Sequence, residues 1–114
     1  MSPRYSPGQI LLASLVFSSQ LGTKNRPVLV VHDGGDDDLL VAPITSRVGR
    51  SQHDIFLNGW QQSGLRLPSV ARLEKLATVE KTAIVRTLGQ LLPDDRAQVK
   101  LALQRLTATF VSAW

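Results

Sequence analysis

Arg72 and Glu74 stand two residues apart in Ser69-Val70-Ala71-Arg72-Leu73-Glu74-Lys75-Leu76, where the alternation predicts a strand over Ser69–Glu74. Side chains two apart on a strand share a face, so this spacing sets a guanidinium beside a carboxylate. Held that way, the carboxylate stays ionised and can accept a proton, while the planar fork of the arginine can grip a phosphate oxygen. The same two residues also make an ordinary strand-surface ion pair, which is worth little. Arg26 directly precedes Pro27 and the apolar run Val28–Val31, a loop-to-strand junction where the proline fixes the backbone and the guanidinium reaches outward. Thr45 and Ser46 close the run Leu39–Ile44, and hydroxyls on a rigid strand end can donate to an anion or merely complete a turn. His32 and His53, the only histidines, adjoin strand ends and read as structural.

The remaining composition narrows the chemistry. The 114 residues carry a formal net charge of +4 with a pI near 10.1, which permits a nucleic-acid partner without requiring one. Four of the nine acids (Asp33, Asp36, Asp37 and Asp38) sit in one turn, so Lys24, Arg26, Arg47, Arg50, Arg66, Arg72 and Lys75 can make one side basic. With no cysteine, disulfides and thiolate metal sites are excluded, and an unstapled domain suits a reducing compartment such as the cytoplasm. The run Ile10–Phe17 follows two prolines, lacks a cleavage site and is far shorter than the roughly 20 apolar residues of a membrane span. It reads as neither a signal peptide nor a membrane anchor.

The elements that must position these residues are short. Ile10–Phe17, Val28–Val31 and Leu39–Ile44 are apolar runs bounded by Gly, Pro, Asp or Ser and read as buried strands. The connections between them are too short for a crossover helix, so the strands should be antiparallel neighbours. Asp33-Gly34-Gly35-Asp36 suits a hairpin turn, with the aspartates beside it in a solvated tip rather than a metal site. His53–Leu57 predicts a fourth strand, Asn58–Pro68 a long loop, and Ala83–Leu88 a further strand, with Ala77–Val79 paired between. Near the end the period changes: Val99, Ala102, Leu103, Leu106 and Phe110 form one helical stripe, with Pro93 in the first turn and Asp94 and Asp95 at the positive end of the dipole. The expectation is one domain over residues 1–114, mainly β, with a strongly curled sheet or small barrel over about 8–91 and a C-terminal α-helix over about 93–110.

Four pieces in order, Gly8-Gln9-Ile10, Arg26-Pro27-Val28-Leu29-Val30-Val31, Pro43-Ile44-Thr45-Ser46 and Ser69–Leu76, resemble the MazF/PemK family of toxin ribonucleases. The likeness runs from about Tyr5 to Leu106 and includes Gly89-Gln90-Leu91 before the helix. It implies an SH3-like barrel of antiparallel strands with a C-terminal helix, a homodimer, and a cognate antitoxin of a type II toxin–antitoxin system. It also implies metal-independent endoribonuclease activity on single-stranded RNA, such as messenger RNA. In that reaction the substrate's 2′-hydroxyl is the nucleophile, and the products carry a cyclic phosphate or 3′-phosphate and a 5′-hydroxyl. No cofactor is implied.

Under the resemblance Arg26, Thr45, Arg72 and Glu74 are the catalytic set. Glu74 takes the 2′-hydroxyl proton, Arg72 holds a phosphate oxygen, Arg26 stabilises the charged phosphorane and Thr45 donates a hydrogen bond. Lys24, Ser46, Arg47, Arg50 and Lys75 are expected to bind RNA. Trp60, in the long loop, is expected either to stack on a base or to anchor the loop. The chain departs from the family pattern in the short loop Ser18–Asn25 and in having Glu74 where relatives often have Asp. The rival readings are a catalytically silent barrel that binds nucleic acid or a protein partner, and a gyrase-directed toxin of related fold, which does not fit the Arg26-Pro27 and Thr45-Ser46 pieces.

Overall fold

The computed structural model describes residues 3–16, 22–47 and 51–114. Among these residues seven strands precede one α-helix: β1 (Gln9–Val16), β2 (Thr23–His32), β3 (Asp38–Thr45), β4 (Asp54–Phe56), β5 (Val70–Arg72), β6 (Ala77–Glu80), β7 (Ile84–Gln90) and α1 (Pro93–Val111). Among the described residues every strand pairing is antiparallel, and the sheet runs β4-β5-β3-β2-β1-β7 with β6 also paired to β3. Among the described residues this order runs from β4 to β7 without closing on itself, an open arrangement compatible with a barrel-like fold.

The early apolar runs lack alternation because both faces of the central strands are buried. On one face Ile10, Leu29, Ala42, Ile44 and Ala71 pack with Leu57, Leu73 and the helix residues Val99, Ala102 and Leu106. On the other, Leu11, Ala13, Val28, Val30, Leu39 and Val41 form a second cluster, flanked by Tyr5 and Ile84. The helical stripe is seated as its period predicts as far as Leu106, whereas Phe110 is left half exposed, because the helix has by then passed beyond the core.

Two expectations about strand ends need correction. The second strand starts at Thr23 rather than Val28, so Lys24 and Arg26 lie inside β2, paired with Leu15 and Ala13 of β1. This outer part of β2 is exposed, so pairing continues where the apolar pattern stops. The strand expected over Ser69–Glu74 stops at Arg72, and Leu73–Lys75 form a 3₁₀ turn. The cause is topological. β3 advances three residues from Val41 to Ile44, while the chain facing it advances six, from Ala71 to Ala77. The surplus is taken up by the turn, which drives Leu73 into the core.

Buried charges clamp the two ends of the sheet. Asp33, at the end of the β2–β3 hairpin, is buried rather than part of the solvated tip. It accepts hydrogen bonds from the Tyr5 N–H at 2.9 Å and the Gly35 N–H at 2.8 Å and meets Lys81 Nζ at 3.1 Å. Lys81 Nζ also donates to the Pro3 carbonyl at 2.6 Å, which ties the N-terminal segment to the hairpin. At the other end Asp95 is buried, and its carboxylate accepts the Asn58 N–H at 3.0 Å and the Gly59 N–H at 2.8 Å. A side chain at Gly59 would collide with Leu92, so the loop lies directly against the helix start.

The Tyr5 and Gly35 N–H groups, with Lys81 beside them, hold the Asp33 carboxyl far below the usual carboxylate range. A depressed folded-state pKa supplies stability that is present above the unfolded value, about 4, and is lost as pH falls toward the folded one. Asp33→Asn should therefore lower the urea midpoint at pH 7, and the gap to the wild type should narrow steadily below pH of about 4. A gap that stays constant through acid would show that the ionised carboxylate contributes nothing.

Candidate functional site

The face of the sheet that buries Val28 and Val30 carries Arg26 and Lys24 farther out on β2, since residues two apart share a face. β2 pairs with β3 as Val28↔Pro43, Leu29↔Ala42 and Val30↔Val41, and two residues past the first of these pairs stand Arg26 on β2, which pairs with Ala13 of β1, and Thr45 on β3. Pro27 lies just outside the last paired position and has no N–H to extend the ladder. From Thr45 the row crosses to Val70 of β5 and then to Phe56 of β4. Arg72, two residues past Val70, occupies the same face and pairs with Asp54. One surface thus carries Lys24, Arg26, Thr45 and Arg72 over a floor of Val70 and Phe56.

Within this surface each group has defined company. Thr45 Oγ1 accepts the Arg47 N–H at 3.2 Å, which fixes the turn after β3 and leaves the hydroxyl proton available to an anion. Arg26, Lys24, Ser46 and Arg47 are exposed, and Thr45 is half-buried. Arg72 Nε faces Asp54 Oδ1 at 3.6 Å, with Arg72 one-third exposed and Asp54 nearly covered.

Arg72 and Glu74 do not form the pair that the strand spacing predicts. The 3₁₀ turn rotates Glu74 off the strand face, where its Oε2 accepts a hydrogen bond from Ser51 Oγ at 2.8 Å and its Oε1 lies 3.7 Å from His53 Nε2. Glu74 remains 45% exposed, so the carboxylate is reachable from solvent. Lys75 is exposed in the same turn. Trp60 is half-buried against the main core and serves as the loop anchor, and Arg50 lies outside the described residues.

Ser51, His53 and Asp54 are the partners that sequence reasoning missed. Their signal lies in the β4–β5 register, which sets Asp54 opposite Arg72 and brings the residues before it toward Glu74. A three-residue strand such as β4 gives no pattern from which that pairing can be read.

Taking Arg72 away leaves the covered Asp54 carboxylate without its facing charge. Arg72→Ala should cost about 1–3 kcal/mol in chemical denaturation, and Asp54→Ala/Arg72→Ala should recover most of that loss. Strict additivity of the two substitutions would show that the pair is not coupled.

Comparison with known proteins adds a family to this geometry. A family model described as PemK-like, MazF-like toxin of type II toxin-antitoxin system matches residues 6–107. No curated protein matches the chain. Among solved structures, the chain is similar to the Mycobacterium tuberculosis toxin MazF-mt6, with 25% identity, a TM-score of 0.69, and coverage of 85% of this chain and 93% of that one. It is also similar to an endoribonuclease in complex with its cognate antitoxin from mycobacterial species, at 16% identity, TM-score 0.72, and 92% and 96% coverage. A MazE-MazF structure from Deinococcus radiodurans matches at 18% identity, TM-score 0.72, and 91% and 96% coverage. At these last two identities the likeness is one of fold.

Proposed function

Because the chain belongs to the PemK-like, MazF-like toxins of type II toxin-antitoxin systems, we propose that it is an endoribonuclease that cuts single-stranded RNA in the cytoplasm by attack of the substrate's own 2′-hydroxyl. The observation that carries this reading is an exposed, cation-bearing sheet face, on which Lys24 and Arg26 of β2 and Thr45 of β3 lie past the Val28↔Pro43 pair. A similar mycobacterial structure is named an endoribonuclease, which agrees with it.

In the proposed reaction the 2′-oxygen forms a bond to phosphorus and the bond from phosphorus to the 5′-oxygen breaks. The 2′-hydroxyl proton passes to Glu74, whose carboxylate is steadied by Ser51 and His53. Arg26 and the Thr45 hydroxyl stabilise the extra negative charge on the phosphorane oxygens. Arg26 is always charged, so its part is chiefly electrostatic. The 5′-oxygen takes up a proton from water and leaves as a hydroxyl, and the other product carries a cyclic phosphate that a further water opens to a 3′-phosphate. Arg72, oriented by Asp54, with Lys24, Ser46, Arg47, Arg50 and Lys75, holds neighbouring phosphates.

Two further parts of the reading follow the relatives. The protein works as a homodimer, and a cognate antitoxin occupies its RNA-binding face; the mycobacterial endoribonuclease is named as in complex with its cognate antitoxin, and the Deinococcus structure as MazE-MazF.

The test is incubation of purified protein with single-stranded RNA in EDTA, followed by mapping of the ends. Cyclic phosphate or 3′-phosphate ends and 5′-hydroxyl ends are expected. Arg26→Ala should lower kcat on the order of 10²–10³-fold, and Glu74→Gln on the order of 10²–10⁴-fold. RNA binding without cleavage by the wild type would instead identify a silent binding module.

A further inference from the structure

Phe56 is a large apolar side chain that the fold leaves 48% exposed on the face just described, in the row that runs from Thr45 through Val70. Strand spacing places it two strands from Thr45, roughly 10 Å away. That distance suits a base one or two nucleotides from a phosphate held at Thr45. Beside Phe56, between β4 and the start of α1, lies an open cavity of about 450 Å³ that Asn58, Asp94 and Gln98 line together with Phe56. Its size falls among small-molecule sites, roughly 300–1,000 Å³.

The polar groups of this cavity are not equivalent. Asp95 already receives two backbone N–H groups, and Asp54 faces Arg72. Asp94 is exposed and is the carboxylate of the lining left to a ligand. A carboxylate only accepts hydrogen bonds, so it favours a base edge that presents an amino group and disfavours one dominated by carbonyl oxygens.

We infer that Phe56 and the adjoining cavity form a nucleobase subsite, in which the ring stacks on one base next to the scissile phosphate and Asp94 favours adenine or cytosine over uracil. This rests on the reading of the face as an RNA-binding surface. Stacking gives the exposed ring a use on this face, since base–aromatic contact works in water and complements the charges farther along the face that hold the backbone.

The experiment measures binding of 2′-O-methyl oligo(A), oligo(C) and oligo(U), which lack the nucleophile and are not cut, alongside RNA cleavage in EDTA. Wild type should bind oligo(A) and oligo(C) more tightly than oligo(U). Phe56→Ala should weaken binding about 5- to 150-fold, the equivalent of 1–3 kcal/mol of stacking. Phe56→Trp should retain binding, and Phe56→Leu, which keeps bulk without an aromatic face, should fall with alanine. Asp94→Asn should remove the preference over oligo(U) without weakening oligo(U) itself.

Unchanged binding by Phe56→Ala or Phe56→Leu overturns the subsite, as does a base preference that survives Asp94→Asn. A switch of Phe56→Ala from dimer to monomer in light scattering also overturns it, by assigning the ring to a contact between copies. Wild-type cleavage with a failed binding series leaves the nuclease reading standing alone. Oligonucleotide binding through Phe56 without any cleavage does the reverse.

Discussion

β3 is paired along both edges, and on one edge by two different strands: β5 meets its outer end and β6 its inner end. Register on a sheet is all-or-none, since a slip of one residue would turn every side chain to the other face. With β3 pinned from both sides, the row Thr45, Val70 and Phe56 has a single arrangement, and Arg26 keeps its place on the same face two residues past Val28. The three surplus residues between β5 and β6 have nowhere to pair, so they become the turn that carries Glu74. Both halves of the candidate site thus follow from how β3 shares its hydrogen bonds.

That arrangement divides the chemistry by position. Cations and a hydroxyl lie on strands buried at their inner ends, so their backbones are fixed by the same packing that forms the second core cluster. The carboxylate lies on a turn, held by Ser51 and His53 rather than by the neighbouring arginine. Arg72 is in turn oriented by Asp54, a partner on β4. The carboxylate and the cations are therefore supported by separate contacts, the kind of support by which a site is preorganised.

The clamps at either end serve this geometry. Lys81 and Asp33 lock the N-terminal segment onto the β2–β3 hairpin, and Asp95 locks the long loop onto the helix start. Buried charges are tolerated in both places because their hydrogen-bonding capacity is filled by backbone groups and an opposite charge. Among the described residues no helix is long and apolar enough to cross a membrane, and α1 instead closes one face of the sheet.

The succession of strands along the chain, the antiparallel sense of the first three, the terminal helix and the family resemblance were legible in the chain, because buried runs, turn residues and a 3.6-residue stripe are local signals, whereas Ala77–Val79, expected between the strands on either side of it in sequence, pairs with β3 instead. Arg26 and Thr45 were legible as candidates for the same reason: each sits beside a short, recognisable piece. What only the tertiary structure decided was who faces whom. The burial of Asp33 against Lys81, the pairing of Arg72 with Asp54, the turn that sends Glu74 to Ser51 and His53, and the seating of Trp60 in the core all join residues through strand pairing and packing. Strand register is a long-range property set by the sum of many weak contacts across the sheet, and no spacing within a single segment encodes it.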